Sequence, residues 1–259
     1  MDHQVIVENE FKYIETNPGK EVILLLHGLL GALSNFRFIA ERFKDDYNVV
    51  IPILPIMELP LKVLGINSLV EYVEHFVDFK AYGKVNVLGN SLGGHIAQLY
   101  ALKRPGKIRS VILTGSSGLF ESAMGNSFPK RGDYDYIRKK AEDTFYDPAT
   151  ATKELVDEIY DIVNDRSKGI RIVITAKSAV RNNLAEHISE ITSPVLLIWG
   201  KDDKVTPAFV GEKFHELLPN SKLEFIDKCG HAPMMERPEK FNKILSGFLT
   251  DVEESTTVC

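Results

Sequence analysis

The apolar residues of this chain gather in short unbroken runs, separated by stretches with helical spacing. Glu21-Val22-Ile23-Leu24-Leu25-Leu26 is the clearest run. A strand apolar at successive positions is one covered on both faces, as in a parallel sheet. Tyr47 to Leu54, Val85 to Leu88, Ser110 to Thr114, Val195 to Trp199 and Leu223 to Ile226 read as further strands. Between them fall predicted helices: Phe36 to Phe43, capped by Ser34-Asn35, and one capped by Asn67-Ser68 that runs to Phe79. Gly94 to Arg104, Ala208 to Leu218 and Glu239 to Leu249 complete the set. Strands alternating with helices predict an α/β fold, a mostly parallel sheet flanked by helices on both faces. Ahead of it, Gln4 to Val7 and Phe11 to Thr16 read as short strands. Asn17-Pro18-Gly19-Lys20 reads as a turn, so a hairpin is expected here.

One interval breaks the rhythm. Thr114 and Val195 are separated by far more chain than a single crossover needs. Thr150 or Thr152 is placed to cap a helix bearing Leu155, Ile159 and Ile162 on one face. Gly169 separates it from Ile170 to Ile188, where Arg171 to Thr175 stays open between strand and helix. The expectation is a helical lid over the carboxyl edge of the sheet; an ordinary pair of packing helices is the plainer alternative. The division is then a core of residues 1–115 and 190–250, a lid of 116–189, and a polar tail of 251–259.

Composition narrows the partners. A chain of 259 residues, 44% hydrophobic, suffices for one large α/β core. A net charge of −5 leaves no basic footprint, so nucleic acid is not an expected partner. No apolar run approaches the ~20 residues of a membrane helix, and Met1-Asp2-His3-Gln4-Val5 does not open a secretory signal. With two cysteines, Cys229 and Cys259, a reducing, cytoplasmic setting fits better than a disulfide. A small-molecule substrate is expected, and a homodimer stays open. No His, Cys, Asp or Glu run has metal-ligand spacing, so no metal or other cofactor is expected.

The candidate chemistry begins at Val85-Asn86-Val87-Leu88-Gly89-Asn90-Ser91-Leu92-Gly93-Gly94. A strand, a G-x-S-x-G pattern and a helix in direct succession form the context of a nucleophile elbow. A serine in so sharp a turn crowds the residues two before and two after it, where glycine alone brings no Cβ. The hydroxyl is then exposed at the end of a sheet, beside the amides that open a helix and favour negative charge. The plainer reading is a glycine-rich turn that carries a serine by accident. Ligands of open parallel sheets bind outside the carboxyl ends of the strands. After Val195 to Trp199 comes Gly200-Lys201-Asp202-Asp203-Lys204-Val205-Thr206-Pro207. After the last strand comes Asp227-Lys228-Cys229-Gly230-His231-Ala232-Pro233. Serine, aspartate and histidine thus follow strands in that order.

From about Phe11 to Leu249 the chain resembles the α/β-hydrolases. His27-Gly28, the elbow, G-x-x-D-x-x-x-P and Gly230-His231 all occur in the family's order. It is most similar to the lidded branch that holds carboxylesterases and the carbon–carbon hydrolases of aromatic-ring degradation. Asn90 before the serine and Ser34-Asn35-Phe36 resemble the latter. The resemblance implies Ser91 as nucleophile, His231 as base and Asp203, rather than Asp202, as the acid that orients the imidazole. It implies an oxyanion hole from the amides of Leu29 and Leu92, with His27 as a structural loop histidine. Asn90 either touches substrate or satisfies the backbone of the elbow. Arg181-Asn182-Asn183 is either a polar patch on the pocket or a solvated helix face. Two departures stand out. Leu54-Pro55-Ile56-Met57-Glu58-Leu59-Pro60 replaces a glycine-rich family loop at the pocket, and its Met57, with Ile56 and Leu59, suggests an apolar wall. Ala232 stands where the carbon–carbon hydrolases carry tryptophan, and no position matches their lid arginine. The expected function is therefore cleavage of a small to medium, largely apolar carboxylic ester. The alternatives are carbon–carbon hydrolysis of a ring-fission-type diketone, or a ligand receptor on the same fold.

Overall fold

A computed structural model describes residues 4–31, 33–120 and 130–257, and side chains as far as residue 255. Among the described residues eight strands form one sheet: β1 (Ile6–Glu8), β2 (Phe11–Glu15), β3 (Val22–Leu26), β4 (Asn48–Pro52), β5 (Val85–Asn90), β6 (Ile108–Thr114), β7 (Val195–Gly200) and β8 (Ser221–Ile226). Their order is β1-β2-β4-β3-β5-β6-β7-β8. β1 and β2 run antiparallel; every pairing from β4 to β8 is parallel.

The unbroken apolar runs are explained by alternation through the sheet. Along β3, Leu24 and Leu26 point into one core, here the upper, beneath α2 (Ile66–Phe79) and α3 (Leu92–Lys103). Ile23 and Leu25 point into the opposite, lower core, which holds Phe36, Ile39 and Phe43 around α1 (Arg37–Phe43). Every residue of β3, β4, β5 and β7 is buried. A strand sandwiched between two helical layers has no face on which a polar residue is free of cost.

Several boundaries differ from those expected. The hairpin joins β1 to β2 through Asn9, whose φ of 51° makes the tight reversal. The Asn17–Lys20 turn closes no hairpin, because β4 pairs between β2 and β3. Ser34 and Asn35 form a 3-10 turn (Leu33–Phe36) and do not cap α1. Asn67 and Ser68 lie inside α2, where the Ser68 hydroxyl accepts from Gly65 N at 3.1 Å. The last helix runs Pro238–Thr257 and absorbs most of the supposed tail, since Val252 is buried on the lower core and Tyr47 donates to Glu253. Cys259 lies outside the described residues.

Between β6 and β7 stand α4 (Tyr134–Glu142), α5 (Lys153–Asn164) and α6 (Arg166–Arg181). Thr152 caps α5 and Asp165 caps α6, accepting from Ser167 N and Lys168 N. The ambiguous stretch Arg171 to Thr175 is helical, and α6 passes straight through Gly169. His187 sits in the turn before Ile188–Glu190. α6 is tied to the core at three points. Arg171 donates to Leu59 O at 2.5 Å, the Ser178 hydroxyl accepts from Ile66 N at 3.0 Å, and His95 Nε2 meets Asn182 O at 2.8 Å.

Candidate active site

Ser91 stands between β5 and α3 with φ 55° and ψ −120°, a conformation that costs a non-glycine residue energy. Its surroundings hold it there. Ser91 N donates to Thr114 O at 3.1 Å, and Gly94 N and Ser117 N donate to Ser91 O at 3.0 and 3.2 Å. The flanking glycines are sterically required. A Cβ on Gly89 would lie 2.3 Å from the Gly93 carbonyl, and one on Gly93 would lie 1.9 Å from Leu26 O. Leu92 opens α3, so its amide has no intrahelical acceptor.

Two loops meet at the carboxyl ends of β7 and β8. Asp202 N donates to Cys229 O at 2.9 Å, and a Cβ on Gly200 would lie 2.1 Å from Gly230 O. This close approach sets Asp203 behind His231, with Nδ1 to Oδ2 at 2.9 Å. Both groups are buried, at 4% and 7% exposure, whereas Asp202 is solvated. The carboxylate is fully engaged. Oδ1 accepts from Val205 N and Thr206 N at 2.8 and 2.9 Å, and Oδ2 also accepts from the Thr206 hydroxyl at 2.8 Å. His231 is anchored by its backbone, donating to Thr144 O at 2.9 Å and accepting from the Asn90 carboxamide at 3.1 Å.

Ser91 and His231 both open onto one cavity of about 740 Å³, along with Leu29, Leu92 and Asn90. Most of its wall is apolar and comes from the α4–α6 insertion, including Phe145, Leu155, Ile159, Val163, Ile172 and Val173. Asn35, Ser117, Arg131, Thr144 and Arg166 add polar groups. Leu29 lies on a loop fixed by His27, which donates from Nδ1 to Gly28 O at 2.9 Å and accepts at Nε2 from Leu54 N at 3.1 Å. Burial holds the His27 imidazole below its ordinary range, so the ring stays neutral and serves as a strut.

Met57, expected on the wall, and Arg181, left open between the pocket and a solvated face, both lie outside this cavity. Met57 packs half-buried beside the upper core and lines a separate small cavity with Glu158 and Ile162, because a tight turn at Pro55 points it away. Arg181 is exposed at the end of α6, outside the cavity; Asn182 turns back onto Ser178 O and Asn183 onto Leu119 O. Asn90 faces the cavity, yet its NH2 donates to Thr114 O and His231 O, so it also braces the elbow. Cys229 is buried and its thiol is pushed up to about 12 by burial, which leaves no thiolate to compete as nucleophile. Among the described residues no three His, Cys, Asp or Glu side chains gather as metal ligands, and no helix is long and apolar enough to cross a membrane.

Sequence reasoning missed Arg131 and Arg166, which no spacing relates to the elbow. It also missed Glu236, a buried carboxylate five residues past His231 that accepts from Gly230 N at 2.5 Å and from Tyr146 N and Asp147 N at 2.9 Å. Thr206 lay in view inside the G-x-x-D-x-x-x-P stretch, where nothing separated its hydroxyl from any other loop threonine.

Comparison with known proteins bears on this site. A family model described as alpha/beta hydrolase fold matches residues 21–238. The chain is 26% identical over 263 residues to 2-hydroxy-6-oxononadienedioate/2-hydroxy-6-oxononatrienedioate hydrolase 1 of Dechloromonas aromatica, covering 93% of this chain and 91% of that protein. Among solved structures it is 39% identical to MGS-MChE2, an alpha/beta hydrolase enzyme from the metagenome of lagoon sediments at Mar Chica, Morocco. That match has a TM-score of 0.80 and covers 96% of this chain and 99% of the other. The meta-cleavage product hydrolase CumD shares the fold, with a TM-score of 0.84 at 19% identity over 96% of this chain and 98% of its own.

Proposed function

The chain belongs to the α/β hydrolase fold family, and from that premise we propose that it is a serine hydrolase working through a covalent acyl-enzyme. One observation carries the reading. His231, paired with the buried Asp203 at 2.9 Å, opens onto the same cavity as a serine held at φ 55°. In this mechanism His231 Nε2 takes the Ser91 proton as Oγ attacks a carbonyl carbon. Asp203 keeps the other ring nitrogen protonated and stabilises the imidazolium. The amides of Leu29 and Leu92 receive the oxyanion; loss of one such donor typically costs ~3 kcal/mol. The imidazolium then protonates the leaving group, and a water deprotonated by the same ring frees the acyl group. The α4–α6 insertion acts as the lid that keeps bulk water out. A cytoplasmic setting suits the buried, free Cys229.

For the bond cleaved, the first reading is a carbon–carbon bond in a ring-fission-type diketone, where the departing carbon leaves as a stabilised enolate. The Dechloromonas relative is named as the hydrolase of a 2-hydroxy-6-oxo dioate, a compound of that diketone-like type. Arg131 and Arg166 on the cavity wall are cations suited to a carboxylate. The second reading is a largely apolar carboxylic ester, favoured by the apolar remainder of the wall and by Ala232 beside the base. A ring-fission diketone and a p-nitrophenyl ester series, compared by kcat/KM, separate the two. A fluorophosphonate should label the wild type stoichiometrically and Ser91→Ala not at all. Equal labelling of both would remove the acyl-enzyme from consideration.

A further inference from the structure

We propose that Thr206 is a positioning residue for the base: its hydroxyl sets how strongly Asp203 pulls on the His231 ring. The inference rests on the serine-hydrolase reading of the site. Thr206 is buried, at 1% exposure, and its side chain touches both members of the pair. The hydroxyl donates to Asp203 Oδ2 at 2.8 Å, the same oxygen that receives His231 Nδ1–H at 2.9 Å, and its oxygen stands 3.3 Å from Nδ1. Its backbone is fixed as well, because Trp199 donates from Nε1 to Thr206 O at 2.7 Å and Thr206 N donates to Oδ1.

The chemistry follows from sharing one oxygen. Hydrogen bonds to a buried carboxylate disperse its charge. A hydroxyl donating to Oδ2 therefore tempers the basicity that the imidazole meets and aims the remaining lone pair at Nδ1. An aliphatic side chain there would leave Oδ2 to the imidazole alone. The ring would then be more basic and less firmly oriented. Other groups around the ring are accounted for. Asn90 and Gly115 approach it from β5 and from the loop after β6, both uncharged. Thr144 approaches through its carbonyl, while Glu236 reaches the loop through Gly230 N and Cys229 remains a thiol. Arg131 and Arg166 line the cavity that the ring opens onto; at Nδ1 the charge that the ring addresses is Asp203, and Thr206 is the side-chain donor that shares it.

The test uses the full chain with Thr206→Val and Thr206→Ser. Proton NMR in water follows the His231 Nδ1–H resonance, and the kcat/KM–pH profile follows its consequence. Thr206→Val should move the resonance downfield and shift the acid limb of the profile upward by roughly one pH unit. Thr206→Ser, which keeps the hydroxyl, should match the wild type in both. Unchanged Trp199 fluorescence in Thr206→Val confirms that the loop is intact. An unmoved resonance and profile in Thr206→Val would overturn the proposal, as would a serine variant that behaves like the valine one. Should the valine variant fail to fold, Thr206→Cys, a weaker donor of similar size, must show a partial shift; wild-type behaviour there also overturns it. The resonance needs no turnover. A moved resonance without activity on any substrate sinks the hydrolase reading and leaves the assignment of Thr206 standing.

Discussion

Gly93 illustrates how tightly the elbow is drawn. A methyl group there would meet the backbone carbonyl of Leu26 at 1.9 Å, and a central strand cannot withdraw. Gly93→Ala should therefore cost about 3 kcal/mol or more, seen in calorimetry as a Tm lower by roughly 6–12 °C. Gly83→Ala, where a Cβ meets open space, should leave Tm within a degree or two and serves as the control. The need for glycine at 89 and 93 was legible in the sequence, because it follows from local sterics around one serine. The placement of Met57 and Arg181 was not. Whether a loop side chain faces a cavity depends on the element packed over it, and neither residue's neighbours in sequence carry that information.

At the scale of elements, Glu236 joins pieces that lie far apart in the chain. Lying on the short helix Pro233–Glu236, it accepts from the amide before His231 and from two amides that follow α4. A Cβ on Gly230 would lie 2.6 Å from Thr144 O, so the His231 loop and the base of the insertion are in direct contact. Glu236→Ala strands one buried donor and two partly buried ones, each costly without a partner. The expected loss is roughly 3 kcal/mol or more by urea unfolding, with a further fall in kcat at temperatures well below the melt. Glu236→Gln, which keeps one acceptor oxygen, should fall between the two. An alanine variant as stable as wild type would show that water replaces the carboxylate. Strand and helix cores were readable from apolar spacing; element ends were less so. The last helix outran its expected end because Val252 still finds the lower core, a contact that period alone does not reveal.

For the whole molecule, two neutral imidazoles set a common response to acid. Burial is the main cause of both shifts. It holds His27 below its ordinary range and brings His95 to about 4, while hydrogen bonds to Gly28 O and Asn182 O oppose it only in part. A folded-state value below the unfolded one means that the unfolded chain takes up the proton first. Their contribution is therefore complete above pH ~6.5 and is lost as pH falls toward the folded values. His95 alone should remove roughly 2 kcal/mol between pH 8 and pH 5, read as a lower urea midpoint at unchanged slope. Glu15 acts lower. Burial would raise it, but bonds from Tyr82, Asn48 and Lys80 outweigh that and hold it below its ordinary range, so its contribution is lost only in stronger acid. A midpoint that does not move between pH 8 and pH 5 would contradict the burial of neutral rings.

The order of strands and helices, and a serine, an aspartate and a histidine each following a strand, were written in the sequence. Apolar period and turn sterics act over a few residues and need no partner. Which arginines reach the cavity and which carboxylate ties the insertion to the sheet were decided by the tertiary structure alone. Those outcomes depend on close approach between segments distant in the sequence, where a few ångströms determine whether a polar group meets a donor, a ring or water.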